Sequence, residues 1–185
     1  MKRIGLLITI CISLISCDKS NDIAPEIINT DFKTKILDGY FVKSIAFDKQ
    51  GNAWIGTFKQ GLIKYNSIGA TIYNSTNSII SDTSVIYDLV IDSKNNVWIA
   101  CEGLIKFDGS SFKHYSSSNT PIPEDFVSSI AIDSKDNIWF SSSRFRQGGI
   151  VKYDGTDWTV FTPDNSDLPI NFVQSLQLTK MIMYG

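Results

Sequence analysis

Apolar and polar positions follow the same order three times along the chain. In VKSIAFDKQGNAWIGT, IYDLVIDSKNNVWIAC and VSSIAIDSKDNIWFSS, an apolar run leads to an aspartate, a polar turn and a tryptophan. The tryptophans Trp54, Trp98 and Trp139 recur at intervals of 44 and 41 residues. A second shared block follows each stretch: GLIKYNSIGATIY, GLIKFDGSSFKHY and GIVKYDGTDWTVF. Self-similarity at a nearly fixed period predicts a repeat architecture.

Each repeat divides into four short segments with strand character. In the third repeat, VSSIAID and IWFSS flank the polar turn SKDN, and GIVKYD and DWTVF flank a DG turn. β-branched and aromatic residues favour strands, and connections this short join antiparallel neighbours. The first strands are apolar with little alternation, which indicates sheets that are covered on both faces. Helical periodicity is absent after residue 17.

Four-stranded units that repeat about every 40 to 50 residues predict the blades of a β-propeller. The predicted fold class is therefore all-β, with four-stranded antiparallel blades and an incomplete ring of about three blades plus one strand. The segment DFKTKI resembles the fourth-strand stretch DWTVF and is expected to be an outer strand of a further blade. The predicted boundaries are 32–185 for the partial propeller, about 42–83, 86–125 and 127–171 for its repeats, and 173 for the start of a truncated fourth repeat.

The blade sequences resemble the two-component regulator propeller repeat, which reads approximately as an apolar strand, D-x-x-G-N-x-W-I-G-T and G-L-x-K-Y-D. Residues 42–65, 86–109 and 127–155 carry this pattern. NHL-type propellers are the nearest alternative. The resemblance implies a binding or sensor-type module, because propellers of this family are commonly the extracytoplasmic sensing part of two-component regulators that respond to glycans. Neither a transmembrane helix nor a kinase segment follows the repeats here, so we expect capture or scaffolding of a glycan or another surface protein.

A propeller enzyme of the streptogramin-lyase type is the alternative function. Some propellers with similar repeats carry a metal and a histidine base on one face. The single histidine of this chain, His114, falls in a predicted outer fourth strand. Paired carboxylates, a nucleophile elbow, HExxH and a phosphate loop do not appear in the sequence. We therefore expect no enzyme activity, no catalytic residue, no metal site and no cofactor.

The aspartates that end the first strands, and the asparagines four residues later, are expected to shape the turns. A short carboxylate accepts hydrogen bonds from the amides of its own turn, and asparagine tolerates a left-handed backbone. The two columns are Asp48, Asp92 and Asp133, and Asn52, Asn96 and Asn137. Calcium binding is the alternative, but each turn supplies only one or two carboxylates without the spacing of known calcium loops.

The tryptophan column Trp54, Trp98 and Trp139 is expected to wedge between blades, where each indole buries a large apolar face. A second aromatic column shares this expectation and consists of Tyr65, Phe107 and Tyr153. For one or two of these rings, the alternative is a stacking platform for sugars at the rim.

Ligand contacts are expected on the variable loops of one face. These loops are NSTNSIISDTS, SSSNTPIPED and TPDNSDLPIN between fourth and first strands, and SSRFRQGG between two strands of the third repeat. In the last of them Arg144 and Arg146 flank Phe145, a combination that can grip a carboxylate or stack on a sugar ring. These three residues are the candidate ligand-binding residues, and solvated loop charge is the alternative.

The N-terminus has the organisation of a secretion signal. MKRIGLLITICISLISC places two basic residues before an apolar run that is too short to span a bilayer. Residues 14–17 resemble the lipobox of bacterial lipoproteins, in which the signal is cut before a cysteine that then carries lipid. The resemblance implies a signal peptide over 1–16, lipidation of Cys17 and a polar tether over 17–31. The expected location is the bacterial cell envelope, lipid-anchored and most naturally in the outer membrane; an ordinary cleaved signal is the alternative.

Composition and charge narrow the classes of partner. The apolar fraction of 43% and the aromatic fraction of 12% are those of a folded chain. The formal net charge is −2, and loss of Lys2 and Arg3 with the signal makes it −4, so no basic field would attract nucleic acid. Removal of Cys11 and lipidation of Cys17 leave Cys101 without a disulfide partner, and we expect a small buried thiol there.

The last five residues break the repeat pattern. Residues 181–185, MIMYG, can be encoded only as ATG, ATH, ATG, TAY and GGN. If one nucleotide was lost just before them, the original frame allows the fourth copy to read VQSLQLTKxDNVW, in line with VSSIAIDSKDNIW. The chain is therefore predicted to be a frameshifted fragment of a longer propeller, with low solubility because its terminal blades expose apolar faces. A natural end with a Met-rich tail is the alternative.

Overall fold

The computed structural model describes residues 39–144 and 147–178, and every regular element within these ranges is a β-strand. Twelve strands form three antiparallel four-stranded sheets, each in the order of the chain, which we call blades 1, 2 and 3. Their bounds are β1 (Val42–Phe47), β2 (Ala53–Thr57), β3 (Leu62–Asn66), β4 (Gly69–Tyr73), β5 (Asp88–Ile91), β6 (Val97–Cys101), β7 (Gly103–Phe107), β8 (Phe112–Tyr115), β9 (Ile130–Ile132), β10 (Ile138–Arg144), β11 (Gln147–Tyr153) and β12 (Trp158–Phe161). The prediction of an all-β fold built from four-stranded antiparallel blades is confirmed.

The first strands of the blades lie side by side. β1 contacts β5, and β5 contacts β9. Each sheet then continues outward from its first strand through the second and third strands to the fourth. The first strands therefore form the inner wall of the arrangement, as they do in a propeller.

Two apolar cores, which we call seams, lie between neighbouring blades. The buried residues of the first seam are Trp54, Leu62, Ile80, Ile86, Leu89, Val97, Ile99, Cys101, Ile105 and Phe107. Those of the second seam are Trp98, Ala100, Leu104, Tyr115, Ile122, Val127, Ile130, Ile138, Phe140 and Val151. Full burial of one large aliphatic or aromatic side chain contributes roughly 1.5–3 kcal/mol, so the seams hold the blades together.

The hairpin between the first and second strands of each blade turns on one left-handed residue. These residues are Gly51 (φ 78°), Asn95 (φ 69°) and Asp136 (φ 67°). The prediction that Asn52, Asn96 and Asn137 occupy this position is wrong by one residue. Glycine, asparagine and aspartate are the residues that best tolerate a left-handed backbone, which explains the observed position.

Blade 3 departs from the predicted strand bounds at its inner edge. β9 is shorter than the predicted strand VSSIAID because the Ser141 hydroxyl accepts the backbone amides of Ser128 and Ser129, each at 3.1 Å. The Ser141 side chain thus takes the two amides that precede β9, while the Ser141 amide still donates to the Ser129 carbonyl at 3.0 Å, and regular pairing begins only at Ile130.

The hairpin between β10 and β11 is longer than its equivalents in the other blades. The two strands pair as far as Arg144 and Gln147. Most of the segment predicted as the loop SSRFRQGG is therefore paired strand.

Residues 173–178, the predicted strand of a fourth repeat, join no sheet within the described ranges. They are held by serine hydroxyls of blade 3 instead. The backbone amide of Val173 donates to Ser143 Oγ at 3.1 Å, and that of Leu176 donates to Ser129 Oγ at 3.0 Å. The signal and tether regions with Cys17, the segment DFKTKI, the residues Phe145 and Arg146, and residues 181–185 lie outside the described residues.

Candidate functional site

An aspartate closes the first hairpin of each blade. Asp48 Oδ1 accepts the backbone amides of Gln50 and Asn52 at 3.1 and 2.9 Å. Its Oδ2 accepts Asn52 Nδ2 at 2.8 Å and Trp54 Nε1 at 3.0 Å. The equivalent carboxylates with the same four contacts are Asp92 and Asp133. Four donors match the roughly four lone-pair sites of a carboxylate, so the hairpin itself occupies these oxygens.

The same hydrogen bonds keep two of these aspartates ionised. Burial alone would raise the pKa of Asp133, but hydrogen bonds from Trp139 and Asn137 outweigh it and lower the pKa to about 2. Burial would also raise the pKa of Asp48, and its hydrogen bonds hold that pKa below its ordinary value. At neutral pH these groups are acceptors in a turn and are poorly suited to donate protons.

The tryptophans occupy two different environments. Trp54 and Trp98 are each 3% exposed. The Trp54 ring lies 5.7 Å from that of Phe107 in blade 2, and the Trp98 ring lies 6.0 Å from that of Tyr153 in blade 3. Trp139 is only partly buried and stacks on Phe161 of its own blade at 5.5 Å. The first two indoles thus lie in seams, and the third lies on the face of blade 3 that points away from blade 2.

Lysines cover the indoles from the neighbouring strand. Each of these lysines is the cross-strand partner of its tryptophan. The ammonium-to-ring distances are 5.0 Å for Lys64 over Trp54, 5.3 Å for Lys106 over Trp98 and 5.8 Å for Lys152 over Trp139. The sequence analysis predicted neither the lysine over each indole nor the hydrogen bond from the indole to the hairpin aspartate. The constant spacing of six residues between that aspartate and the tryptophan could have indicated the hydrogen bond. Every blade repeats this unit, so it is part of the blade's own structure.

A column of side-chain oxygens on the inner strands links each blade to the next. The backbone amide of Leu89 donates to Ser44 Oγ at 3.1 Å, and that of Ile130 donates to Asp88 Oδ2 at 3.1 Å. Ser44 Oγ also donates to Asp88 Oδ1 at 3.0 Å. Asp88 therefore contacts both neighbouring blades, and the bond from Leu176 to Ser129 continues the series. We call Ser44, Asp88 and Ser129 the inner column.

The turns at the end of the first strands also contact one another. The backbone amide of Lys49 donates to Asn95 Oδ1 at 3.0 Å. One blade further, the amide of Ser93 donates to Asp136 Oδ1 at 3.0 Å. The left-handed residue of each later turn therefore receives a hydrogen bond from the preceding blade.

A pocket of about 380 Å³ opens on the inner strands. We call it the inner-strand pocket, and its lining residues are Lys43, Tyr87, Phe126, Ser128, Phe172 and Gln174. Four of the lining residues come from the same position of successive repeats. Lys43, Tyr87 and Ser128 each directly precede a residue of the inner column, and Gln174 directly precedes its counterpart in the segment after blade 3. The volume falls within the range of about 300–1,000 Å³ typical of small-molecule sites. Sequence reasoning missed this pocket, because its residues meet only when the inner strands lie side by side.

Aromatic rings and nearby charges define the surroundings of the pocket. The Tyr87 and Phe126 rings meet edge to face at 5.1 Å. Burial and the Glu102 carboxylate raise the pKa of Tyr87, while the Arg144 guanidinium opposes them. Arg144, predicted as a ligand contact, is exposed at the end of β10 and lies close enough to act on the Tyr87 phenol.

The loops between fourth and first strands begin with a fixed turn. In the first loop, Asn77 Oδ1 accepts the amide of Asn74 at 3.0 Å, and Asn77 Nδ2 donates to the carbonyl of Ile72 at 2.8 Å. Asn119 and Asn165 make the same pair of hydrogen bonds in the second and third loops. The opening residues of these loops therefore build the turn, which leaves less of each loop for a ligand than the sequence indicated.

His114 and Cys101 are not among the residues that line the inner-strand pocket. His114 is on the outermost strand of blade 2, and its Nε2 lies 2.8 Å from the Glu102 carbonyl oxygen. Burial, assisted by Glu102, raises the pKa of Cys101 to about 12, so this thiol stays protonated. Within residues 39–144 and 147–178, no three His, Cys, Asp or Glu side chains come together as metal ligands. No helix in that part of the chain has the length and apolar character to cross a membrane.

Comparison with known proteins identifies similar propellers. The sequence model of the two-component regulator propeller family matches residues 36–59 and 121–144. Among solved structures, the extracellular domain assigned to a hybrid two-component system of B. thetaiotaomicron is 26% identical, with a TM-score of 0.56. That match covers 70% of this chain and 18% of the solved one. No curated protein matches the sequence.

Two further structures share the fold at lower identity. A second such extracellular domain from B. thetaiotaomicron is 20% identical with a TM-score of 0.52, over 72% of this chain and 18% of its own. Virginiamycin B lyase from Staphylococcus aureus is 20% identical with a TM-score of 0.50, over 64% of this chain and 40% of its own. The present chain thus spans less than half the length of each of these structures.

Proposed function

We propose that this chain, a two-component regulator propeller repeat protein, is part of an extracytoplasmic binding module held on a membrane by lipid at Cys17. The observation that carries the extracytoplasmic binding role is the 26% identity, over 70% of the chain, with the extracellular domain assigned to a two-component system. The anchor rests on the lipobox-like residues 14–17. The expected ligand is a glycan or another surface protein, and the proposed location is the outer membrane of the bacterial envelope.

The geometry supports binding in preference to catalysis. The inner-strand pocket offers aromatic surface, one ammonium, two hydroxyls (those of Tyr87 and Ser128) and one side-chain amide. It lacks a nucleophile next to a base, which covalent or acid–base catalysis would require. The hairpin carboxylates are engaged by their own turns, and His114 lies on an outer strand. The likeness to virginiamycin B lyase is one of fold and adds no catalytic group to this pocket.

Ligand binding and turnover can be measured on one preparation. Calorimetry against a panel of oligosaccharides, beside an assay for lyase turnover, separates the binding module from the enzyme. We expect saturable heat from at least one panel member and no turnover. Turnover of a streptogramin would contradict the proposal.

Anchoring at Cys17 has a direct test with a matched control. Cells that express the protein are fed an alkyne fatty acid, and the label on the protein is read after a click reaction. We expect Cys17→Ala to lose the label and to leave the membrane fraction, because the acyl chains supply the membrane affinity. Cys101→Ala should keep both, since its thiol is buried. Label that persists in Cys17→Ala would refute the anchor.

We also propose that the chain is a frameshifted fragment of a longer propeller. The exposed apolar residues Phe41, Val42, Ile45 and Phe47 on the inner edge of blade 1 support this, since a complete ring would cover them. Genomic DNA read past codon 185 should show further tryptophan-containing repeats in the shifted frame. Absence of such repeats would end the fragment hypothesis.

A further inference from the structure

We propose that the inner-strand pocket binds a ring-shaped ligand that carries a carboxylate. The aromatic side chains of the pocket would contact the apolar face of the ring, and the Lys43 ammonium would hold the acid. This inference rests on the proposed binding function and names a ligand class and a site for it.

The aromatic surface of the pocket is formed by Tyr87, Phe126 and Phe172. All three rings line the pocket and are only partly buried, so part of each remains open to the pocket. The edge-to-face contact between Tyr87 and Phe126, at 5.1 Å, holds these two rings in place before a ligand arrives. A flat ligand ring, whether aromatic or the C–H face of a pyranose, is what such a surface accommodates best.

The positive charge of the pocket lining is supplied by Lys43. No carboxylate lines the pocket, and Lys43 is its one charged lining residue. Among residues 39–144 and 147–178, no side chain pairs with the exposed Lys43 ammonium. Two further charges, those of Arg144 and Glu102, act on Tyr87 and oppose each other there. An incoming carboxylate therefore meets an available cation on the wall formed by β1.

The polar lining residues limit where further contacts can form. Ser128 Oγ already donates to the Gln174 carbonyl at 3.1 Å and contacts Ser141 Oγ at 3.0 Å. The Gln174 side chain is exposed and belongs to the segment after blade 3, whereas Lys43 belongs to blade 1. A ligand that reaches from Lys43 to Gln174 can place its acid on one wall and a hydroxyl or carbonyl group on the other.

The ligand class can be tested by calorimetry on the full chain with two pairs of probes. The acids are 3-phenylpropionate and D-glucuronate, and their neutral counterparts are 3-phenylpropionamide and D-glucose. We expect at least one acid to bind about tenfold tighter than its neutral counterpart, since a charge-assisted contact is worth about that much. The acid that binds distinguishes an aryl acid from a sugar acid as the source of this chemistry.

Three variants assign the effect to the pocket. Lys43→Gln should erase the preference for the acid, and Phe126→Leu should weaken acid and neutral probe alike by about fivefold, because stacking surface is lost. Lys135→Gln, an exposed lysine outside the pocket lining, should change neither affinity. Thermal unfolding followed by circular dichroism checks that each variant is folded.

The outcomes separate this inference from the proposed function. Failure of both acids to bind, or unchanged acid affinity in Lys43→Gln, overturns the ligand class. If an oligosaccharide of the panel still binds in that case, the binding function stands without the present inference. If nothing binds at all, both are overturned.

Discussion

Blades 1 and 2 carry equivalent apolar residues in their first strands, but these residues meet opposite surroundings. Val42 and Ile45 are each 41% exposed, whereas their counterparts Ile86 and Leu89 are 0% and 4% exposed. Blade 1 covers the residues of blade 2, and no blade covers those of blade 1 within the described ranges. The apolar residues of a first strand are therefore buried only when the preceding blade packs against them, and a single sheet cannot bury them by itself.

The largest loss of stability is expected when an indole is removed from a seam. We expect Trp98→Ala to lower the free energy of unfolding by about 3–5 kcal/mol, because a large buried ring leaves a cavity. Trp139→Ala should cost only about 1–2 kcal/mol, since its partly exposed ring buries less area. Urea unfolding followed by circular dichroism measures both. Equal costs would show that the seam does not determine the burial of these rings.

A smaller difference in the free energy of unfolding is expected between equivalent residues of the first strands of blades 1 and 2. Leu89→Ala should cost about 2–4 kcal/mol, because Leu89 lies in the first seam. Ile45→Ala, at the equivalent position of blade 1, should cost less than about 1 kcal/mol, since much of this side chain stays in water. The same unfolding assay applies, and a reversed order would contradict the equivalence of the two strands.

The turn aspartates give a pH-dependent contrast. The pKa of Asp133 is about 2 in the folded protein and about 3.9 in an unfolded chain. Its contribution to stability is therefore present above about pH 4 and is lost as pH falls through about 2. Asp133→Asn should lower the melting temperature most at neutral pH, and the difference from wild type should shrink toward pH 2.

The matched control for that contrast is Asp164→Asn, at an exposed loop position. Its melting temperature should differ little from that of wild type at any pH. A constant deficit for Asp133→Asn between pH 7 and pH 2 would show that its carboxylate charge is not what stabilises the turn.

The smallest effect on stability, and the clearest effect on association, is expected at Phe47. This side chain is 62% exposed on blade 1. Phe47→Ser should change the free energy of unfolding by no more than about 0.5 kcal/mol, as is usual for surface positions. It should also reduce self-association in light scattering, because an exposed apolar residue is removed.

Ile91→Ser is the counterpart in blade 2, where the residue packs against the first seam. That variant should be destabilised and should associate more. If Phe47→Ser associates as strongly as wild type, the exposed face of blade 1 is not the adhesive surface.

The sequence was sufficient for features that depend on local pattern. The period of the tryptophans and the short polar turns predicted four-stranded antiparallel blades, and the sheets have that form. The left-handed turn position was misplaced by one residue, because Asp, Gly and Asn occur together in the turn and all tolerate that conformation. The length of β10 was also missed, since strand pairing there depends on β11 and not on propensity alone.

Features that join different blades could not be predicted in the same way. The role of Asp88 depends on contacts with Ser44 and Ile130, residues that lie more than 40 positions away on either side. The sequence nevertheless marks this position, because Asp88 stands where the other repeats have a serine, as at Ser44 and Ser129. The lining of the inner-strand pocket likewise combines residues from successive repeats, so it emerges only with the spatial arrangement of the blades.

The contacts between neighbouring blades run in opposite directions at two points. At the inner column the backbone amide of the later blade donates to a side chain of the earlier one, and at the hairpin turns the amide of the earlier blade donates to a side chain of the later one. Two side-chain donors run the other way, from Ser44 to Asp88 and from Asn95 to Gln50. Blade 2 donates the Leu89 amide to blade 1 at the inner column and the Ser93 amide to blade 3 at its hairpin turn, so its two sides offer different groups to a neighbour. The stack of blades therefore has a direction, because the side of a blade that meets its predecessor is not interchangeable with the side that meets its successor.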